Sequence, residues 1–207
     1  GVGVRSICAG GEFGFIAVHI RQQFVRCPLA SGVVEHGQIK PAVVNHMGTL
    51  DGQLAPPNSL EAISASLAAG ASIIEVDINA LAGGDYLLVH DLGLEGETSG
   101  NGPVADCTVE QARTLRIKHH EQITHHAVPL LSDVVQIFQA SPSSARLQLD
   151  FKNVYPFPNV EPLERLCRLI EHHADRVLVS SGADWQLRRL RKLAPWLSLG
   201  FDVMNYI

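Results

Sequence analysis

The chain has 207 residues, of which 46% are hydrophobic and 18% charged, and a formal net charge of -5. This is the composition of a globular domain with a sizeable core, and it excludes a disordered chain. The acidic balance argues against a general nucleic-acid binder, which needs a basic face, and no apolar run approaches the roughly eighteen residues that span a bilayer.

The longest apolar run, around Phe13 to Ile20, is short and interrupted by His19. No signal peptide is evident, although the chain begins at Gly1 without Met, and a cytoplasmic location is the expectation. Four cysteines (Cys8, Cys27, Cys107 and Cys167) lie far apart and form no CxxC pair, the usage of a reduced compartment without a zinc motif. Ten histidines include the doublets His119-His120, His125-His126 and His172-His173. Their spacing fits no standard metal motif, and the doublets are expected on the surface.

Residues 1 to 40 form a poorly defined N-terminal segment in which only "GFIAVHI" could be a strand. A single domain is expected over residues 41 to 207. It opens with a short apolar strand, Pro41 to Val44, that ends in Asn45-His46. Next, "NSLEAISASLAAG" predicts a helix with Asn58 as N-cap, Glu61 completing a capping box, and Gly70 just past the end. Leu60, Ile63 and Leu67 recur at helical spacing. The β-branched run "ASIIEVDI" reads as a buried strand. Only a turn at Gly83-Gly84 separates it from "YLLVH", too short for a parallel crossover, so residues 73 to 90 should form an antiparallel hairpin. A Gly-rich loop, "GLEGETSGNGP", leads to helical patterns in "TVEQARTL" and "LLSDVVQIF". Then follow strand "RLQLDFK", a helix near Glu161 to His172, strand "RVLVS", a helix near Ala183 to Leu193, and strand "LSLGF". Hairpin aside, strands alternate with helices, the pattern of a parallel α/β fold.

Several strands end in ionisable groups. Glu75 and Asp77 are two apart and share one face, and Asp150 and Lys152 repeat that arrangement. His46 and His90 each end a strand. In a parallel barrel the C-terminal strand ends form the active face. Three carboxylates gathered there would repel one another unless a cation intervened, and a hard divalent ion, Mg²⁺ or Ca²⁺, is the natural partner. The alternatives are that Glu75 or Asp77 forms a buried ion pair with Lys152 or an arginine, and that a lone histidine such as His46 has a purely structural place.

The ordered pieces "NHMG", "PPNS", "IIEVDI", "LLVHD", "TSGNGPVADCTVEQARTL", "VPLLSDV" and "LQLDFK", over roughly residues 42 to 152, resemble the glycerophosphodiester phosphodiesterase family of the phospholipase-C-like superfamily. That family's pattern is His-Arg-Gly, Pro-Glu-Asn-Thr, Glu-Leu-Asp, Val-His-Asp, Thr-Asn-Gly-Thr-Gly, Pro-Thr-Leu and Glu-Ile-Lys. The resemblance implies a TIM-type (β/α) barrel in which the His-Asp hairpin is an excursion after the second strand. It implies that Glu75, Asp77 and Asp150 ligate a divalent metal, Mg²⁺ or Ca²⁺. It also implies that His46 and His90 are the acid/base pair and that Lys152 binds the substrate phosphate. The expected reaction is metal-dependent hydrolysis of a small-molecule glycerophosphodiester to glycerol 3-phosphate and an alcohol, with neither nucleic acid nor a transmembrane segment involved.

Met47 replaces the family arginine and removes a bidentate phosphate donor. Asp150 replaces a glutamate, as in the sphingomyelinase-D-like relatives. Pro57-Asn58-Ser59 reads as a helix cap without chemistry. Five barrel strands are recognisable where closure needs eight. Hence the barrel is expected to be incomplete at its C-terminus, unless residues 1 to 40 supply strands. Two further activities stay open: a phospholipase-D-like lyase forming a cyclic phosphate from a lysophospholipid or sphingolipid, and a non-catalytic truncated barrel.

Overall fold

The computed structural model describes residues 44–157 and 159–202. The segment expected at 1 to 40, with its "GFIAVHI" strand, and the strand residues before Val44 lie outside the described residues. In chain order the strands are β1 (Val44–Asn45), β2 (Ile73–Ala80), β3 (Tyr86–Leu87), β4 (Arg116–His119), β5 (Gln122–Ala127), β6 (Arg146–Phe151), β7 (Val177–Ser181) and β8 (Ser198–Phe201). The helices are α1 (Leu60–Ala68), α2 (Val109–Ala112), α3 (Leu131–Ala140), α4 (Glu161–Ile170) and α5 (Asp184–Leu193). None among the described residues is long and apolar enough to cross a membrane.

β1, β2, β6, β7 and β8 lie side by side in that order, each pair parallel. Parallel strands laid down in chain order, each return made through a helix, describe one continuous winding. A doubly wound sheet would instead reverse its strand order at a switch point. Successive helices α1, α3, α4 and α5 pack against one another along the sheet. Ile74, Val76 and Ile78 of β2 and Leu147, Leu149 and Phe151 of β6 meet these helices in one continuous core. Because side chains alternate across a strand, the intervening residues Glu75, Asp77, Asn79, Gln148 and Asp150 all face the opposite way. The sheet thus has an oily face under the helices, and the opposite face carries polar side chains on β2 and β6. Over the described residues it is open, with β1 and β8 at its edges.

The excursion after β2 is antiparallel as expected, pairing Asn79 with Leu87 and Ala80 with Tyr86 around a turn in which Gly84 has φ +87°. Its second arm is shorter than the sequence suggests. Leu88 donates its N–H to Pro129 O at 3.0 Å instead of continuing the ladder. From there the chain wraps a second small core, including Leu87, Val89, Leu94, Val104, Leu115, Ile117 and Val128.

Two further readings needed correction. Ser59, not Asn58, caps α1: its hydroxyl accepts the Ala62 N–H at 3.1 Å. The stretch after α2, expected to lead directly into a helix, holds the antiparallel hairpin β4–β5. Gly70 does follow α1 at φ +76°. Each histidine doublet pairs one exposed with one half-buried ring, and His126 Nδ1 lies 3.1 Å from Glu61 Oε1 on α1.

Candidate active site

β1 runs directly into a tight turn, His46–Gly48, in which Met47 (φ +51°) and Gly48 (φ +68°) both adopt left-handed backbone. The turn must bend this sharply because α1 lies against it: a Cβ on Gly48 would stand 2.8 Å from Ile63 Cγ1. Ser66 of α1 donates to Gly48 O at 2.7 Å, and Asn45 Nδ2 donates to Ser66 Oγ at 2.8 Å. The turn's consequence is functional geometry. It aims the Met47 N–H at Glu75 Oε2, 2.9 Å away, and leaves the half-exposed His46 ring with Nε2 3.8 Å from the same oxygen.

On the polar face, Asp77 and Asp150 are register partners on adjacent strands. One oxygen each from Glu75, Asp77 and Asp150 lies within 4.8 Å of the others. Lys152 Nζ reaches both aspartates, 3.0 Å from Asp77 Oδ1 and 2.5 Å from Asp150 Oδ2. The ion pair that the sequence left open is therefore present, but it engages Asp77 and Asp150, while Glu75 accepts the Met47 amide. One ammonium among three carboxylates leaves excess negative charge. Burial, then Asp77 and Asp150, push the Glu75 carboxyl well above its ordinary range. Burial also raises Asp150, and Asp77 and Asp202 add to the rise against the opposing pull of Lys152. Burial works against a charged Lys152, yet Asp77 and Asp150 outweigh it and hold the ammonium protonated.

These residues fit a hard divalent cation. Oxygens about 2.3–2.6 Å from one Ca²⁺ are at most roughly 5 Å apart, a spacing the three carboxylates meet. Asp77 Oδ1 is buried and accepts no directed hydrogen bond, although Lys152 stands beside it. With that one ammonium shared among three carboxylates, the cluster keeps a negative charge that a divalent cation would offset.

Sequence reasoning missed the residues that hold this arrangement. Asn58 is buried at φ +56°; its Nδ2 donates to Asp77 Oδ2 at 3.1 Å and its Oδ1 accepts the Asp77 N–H at 3.3 Å. Ser180 on β7 donates to Asp150 Oδ1 at 3.3 Å and accepts from Gln148 Nε2 at 3.1 Å. Asn79, the third polar residue on the polar face of β2, gathers the carbonyls of residues 89 to 91. Period-two alternation after Glu75 and Asp77 was the signal available for Asn79; for Asn58 the signal was its match to the asparagine of Pro-Glu-Asn-Thr, which the helix-cap reading set aside.

His90 lies beyond β3, on the segment that Asn79 ties to the end of β2. Its ring is half-exposed, with Nδ1 3.0 Å from Asp91 Oδ1. Met47 lines a cavity of about 90 Å³, walled by Pro57, Asn58, Leu88, Val89, Glu97, Ile117, Lys118, His119 and Val128.

Comparison with known proteins gives a consistent result. The sequence profile of the Glycerophosphoryl diester phosphodiesterase family matches residues 51–204. A glycerophosphodiester phosphodiesterase of Caldanaerobacter subterraneus is 28% identical over 166 residues, covering 78% of this chain and 66% of the relative. One from Bacillus altitudinis is 32% identical over 157 residues, covering 73% and 63%. The chain thus spans just under two thirds of the length of these curated relatives. Among solved structures, an Oleispira antarctica phosphodiesterase in complex with the product sn-glycerol-3-phosphate superposes with a TM-score of 0.64 at 21% identity, over 76% of this chain and 64% of that one. The fold is shared.

Proposed function

Since this chain belongs to the Glycerophosphoryl diester phosphodiesterase family, we propose that it serves the hydrolysis of glycerophosphodiesters to glycerol 3-phosphate and an alcohol. The observation that carries the reading is the convergence of Glu75, Asp77 and Asp150 within 4.8 Å beside Lys152. These three carboxylates would hold Mg²⁺ or Ca²⁺. When bound, such an ion supplies positive charge against the phosphoryl oxygens and so lowers the cost of charge developing on them.

The chain's own groups do the remainder. Lys152 stays protonated between Asp77 and Asp150 and offers a point charge to the phosphate. His46 and His90 are the proton-transfer pair, one accepting a proton from the attacking water and the other donating to the leaving alkoxide. An imidazole suits both roles near neutral pH. Asp91 beside Nδ1 of His90 leaves Nε2 as the nitrogen that meets substrate. The Met47 amide and the Asn58 side chain keep Glu75 and Asp77 turned toward each other without contributing charge of their own.

The test uses the full-length protein and a glycerophosphodiester. Chelation should abolish turnover, and added Mg²⁺ or Ca²⁺ should restore it. Asp77→Asn should weaken metal binding and activity together, whereas His90→Ala should keep the metal affinity and slow turnover by roughly 10²–10⁴-fold. An activity indifferent to chelator would exclude the metal site from the reaction.

A further inference from the structure

The segment from Val89 to Asp91 belongs to no strand, so its peptide groups need partners from elsewhere. Two side chains provide them. From beneath, the buried Asn79 amide donates to Val89 O at 2.9 Å, to Asp91 O at 3.1 Å and, more weakly, to His90 O at 3.4 Å. From the Gly-rich loop, a single carboxylate oxygen of Glu97 accepts both the His90 N–H, at 2.6 Å, and the Asp91 N–H, at 3.0 Å. Glu97 is anchored in its turn: its carbonyl accepts the Lys118 N–H at 2.7 Å, and Thr98 bridges Ile117 of β4. The loop is therefore pinned to β4 by an isolated antiparallel bridge, and its carboxylate is presented from a fixed backbone. A charged acceptor shared by two amides is a stronger tie than a neutral one. With its peptide groups tied on both sides, His90 keeps only its side-chain torsions, and Asp91 Oδ1 at 3.0 Å from Nδ1 restrains the ring.

We propose that Glu97 is a positioning residue for His90, fixing the residue 90–91 peptide so that the imidazole meets the phosphodiester at one distance and angle. The inference rests on the reading of His90 as a proton-transfer group. Glu97 acts through His90 and contributes no proton to the reaction. Misplacing an acid or base by about 1 Å costs on the order of 10²-fold in rate, which sets the size of the effect.

The experiment is a double-mutant cycle in the full-length, metal-loaded protein with glycerophosphocholine as probe substrate. Glu97→Ala should lower kcat by about 10–100-fold while KM stays within about threefold of wild type. Glu97→Gln, which keeps an acceptor oxygen in place, should recover most of that loss. The double variant His90→Ala/Glu97→Ala should be no more than about twofold slower than His90→Ala alone, because nothing remains to be positioned. Independently of activity, amide hydrogen exchange at His90 and Asp91 should quicken in Glu97→Ala while the β2 and β6 amides are unchanged. Should Glu97→Ala fail to fold, Glu97→Asp, one methylene shorter, must show the same non-additivity with a smaller loss. If His90→Ala is slow but the two losses multiply, or if Glu97→Ala turns over like wild type, the positioning role is overturned and the proposed function stands. If His90→Ala itself turns over like wild type, the proton-transfer reading falls and this inference falls with it.

Discussion

At Asn58 a single amide satisfies both the backbone N–H and a carboxylate oxygen of Asp77, from a left-handed backbone at φ +56°. Asparagine tolerates that conformation better than residues without a short polar side chain. Asn58→Ala strips a buried N–H and a buried carboxylate of partners and adds backbone strain. We expect a loss of about 2–4 kcal/mol in urea denaturation. Metal affinity by calorimetry should fall roughly 10–100-fold, as when an outer support of a ligand is removed. This role was overlooked in the sequence because Pro-Pro-Asn-Ser is locally a complete helix-start signal, whereas the contact with Asp77 is created only by the fold. The carboxylates themselves were legible, since two acids at i and i+2 on a β-branched run have one face to share. Met47 poses the opposite case. Its backbone serves Glu75, but its side chain lines a cavity of mixed polarity and, as a thioether, offers phosphate no hydrogen-bond donor. Met47→Arg should lower KM by roughly tenfold, the low end of what a charged hydrogen bond is worth; an unchanged KM would mean that Lys152 and the metal suffice.

Among the elements, β2 was the most readable and β4–β5 the least, for reasons that lie in their side chains. β2 alternates buried apolar residues with Glu75, Asp77 and Asn79, so its two faces are written in the sequence. β4 and β5 are largely exposed, and their turn puts His120 at φ +49° and Glu121 at φ +62°. That is mirror-image turn geometry usually announced by Asn-Gly or Asp-Gly, and His-Glu announces nothing. The helices α3, α4 and α5 were found where their apolar spacing put them, because each buries one stripe against the sheet. The turn between β1 and α1 shows how an element boundary can fix a site. Gly48 needs φ +68°, and any Cβ there presses on the fully buried Ile63. Gly48→Ala should cost about 2–4 kcal/mol, read from the denaturation midpoint. It should also weaken metal binding, since the Met47 amide would swing away from Glu75. A variant as stable as wild type would show that the turn relaxes freely.

For the molecule as a whole, the buried carboxylates make stability depend on pH and on the ion together. The Glu75 and Asp150 carboxyls are both raised, chiefly by burial. A raised folded-state value means that the folded protein holds its protons more tightly than the unfolded chain. Without metal, that contribution is fully present below the ordinary carboxylate value of about 4 and is lost as pH rises through the raised values. A bound cation removes the penalty at neutral pH but must compete with protons in acid. At a hundredfold excess over Kd, Mg²⁺ or Ca²⁺ should add about 2.7 kcal/mol at neutral pH. That corresponds to roughly 5–10 °C in Tm by calorimetry, and the gain should shrink toward pH 5. An equal shift at both pH values would place the ion elsewhere.

The pairing of Asp77 with Asp150 across β2 and β6 also has a kinetic consequence. The two strands that carry these ligands are separated by the whole excursion and by α3, so their pairing is a long-range event with a high loop-closure cost. An ion has nothing to grip until that pairing exists. Its stabilisation should therefore appear almost entirely as slower unfolding, with the refolding arm of the chevron unmoved by added metal. The metal site would then act as a latch that closes after the sheet has assembled, lengthening the life of the native state without guiding the chain toward it.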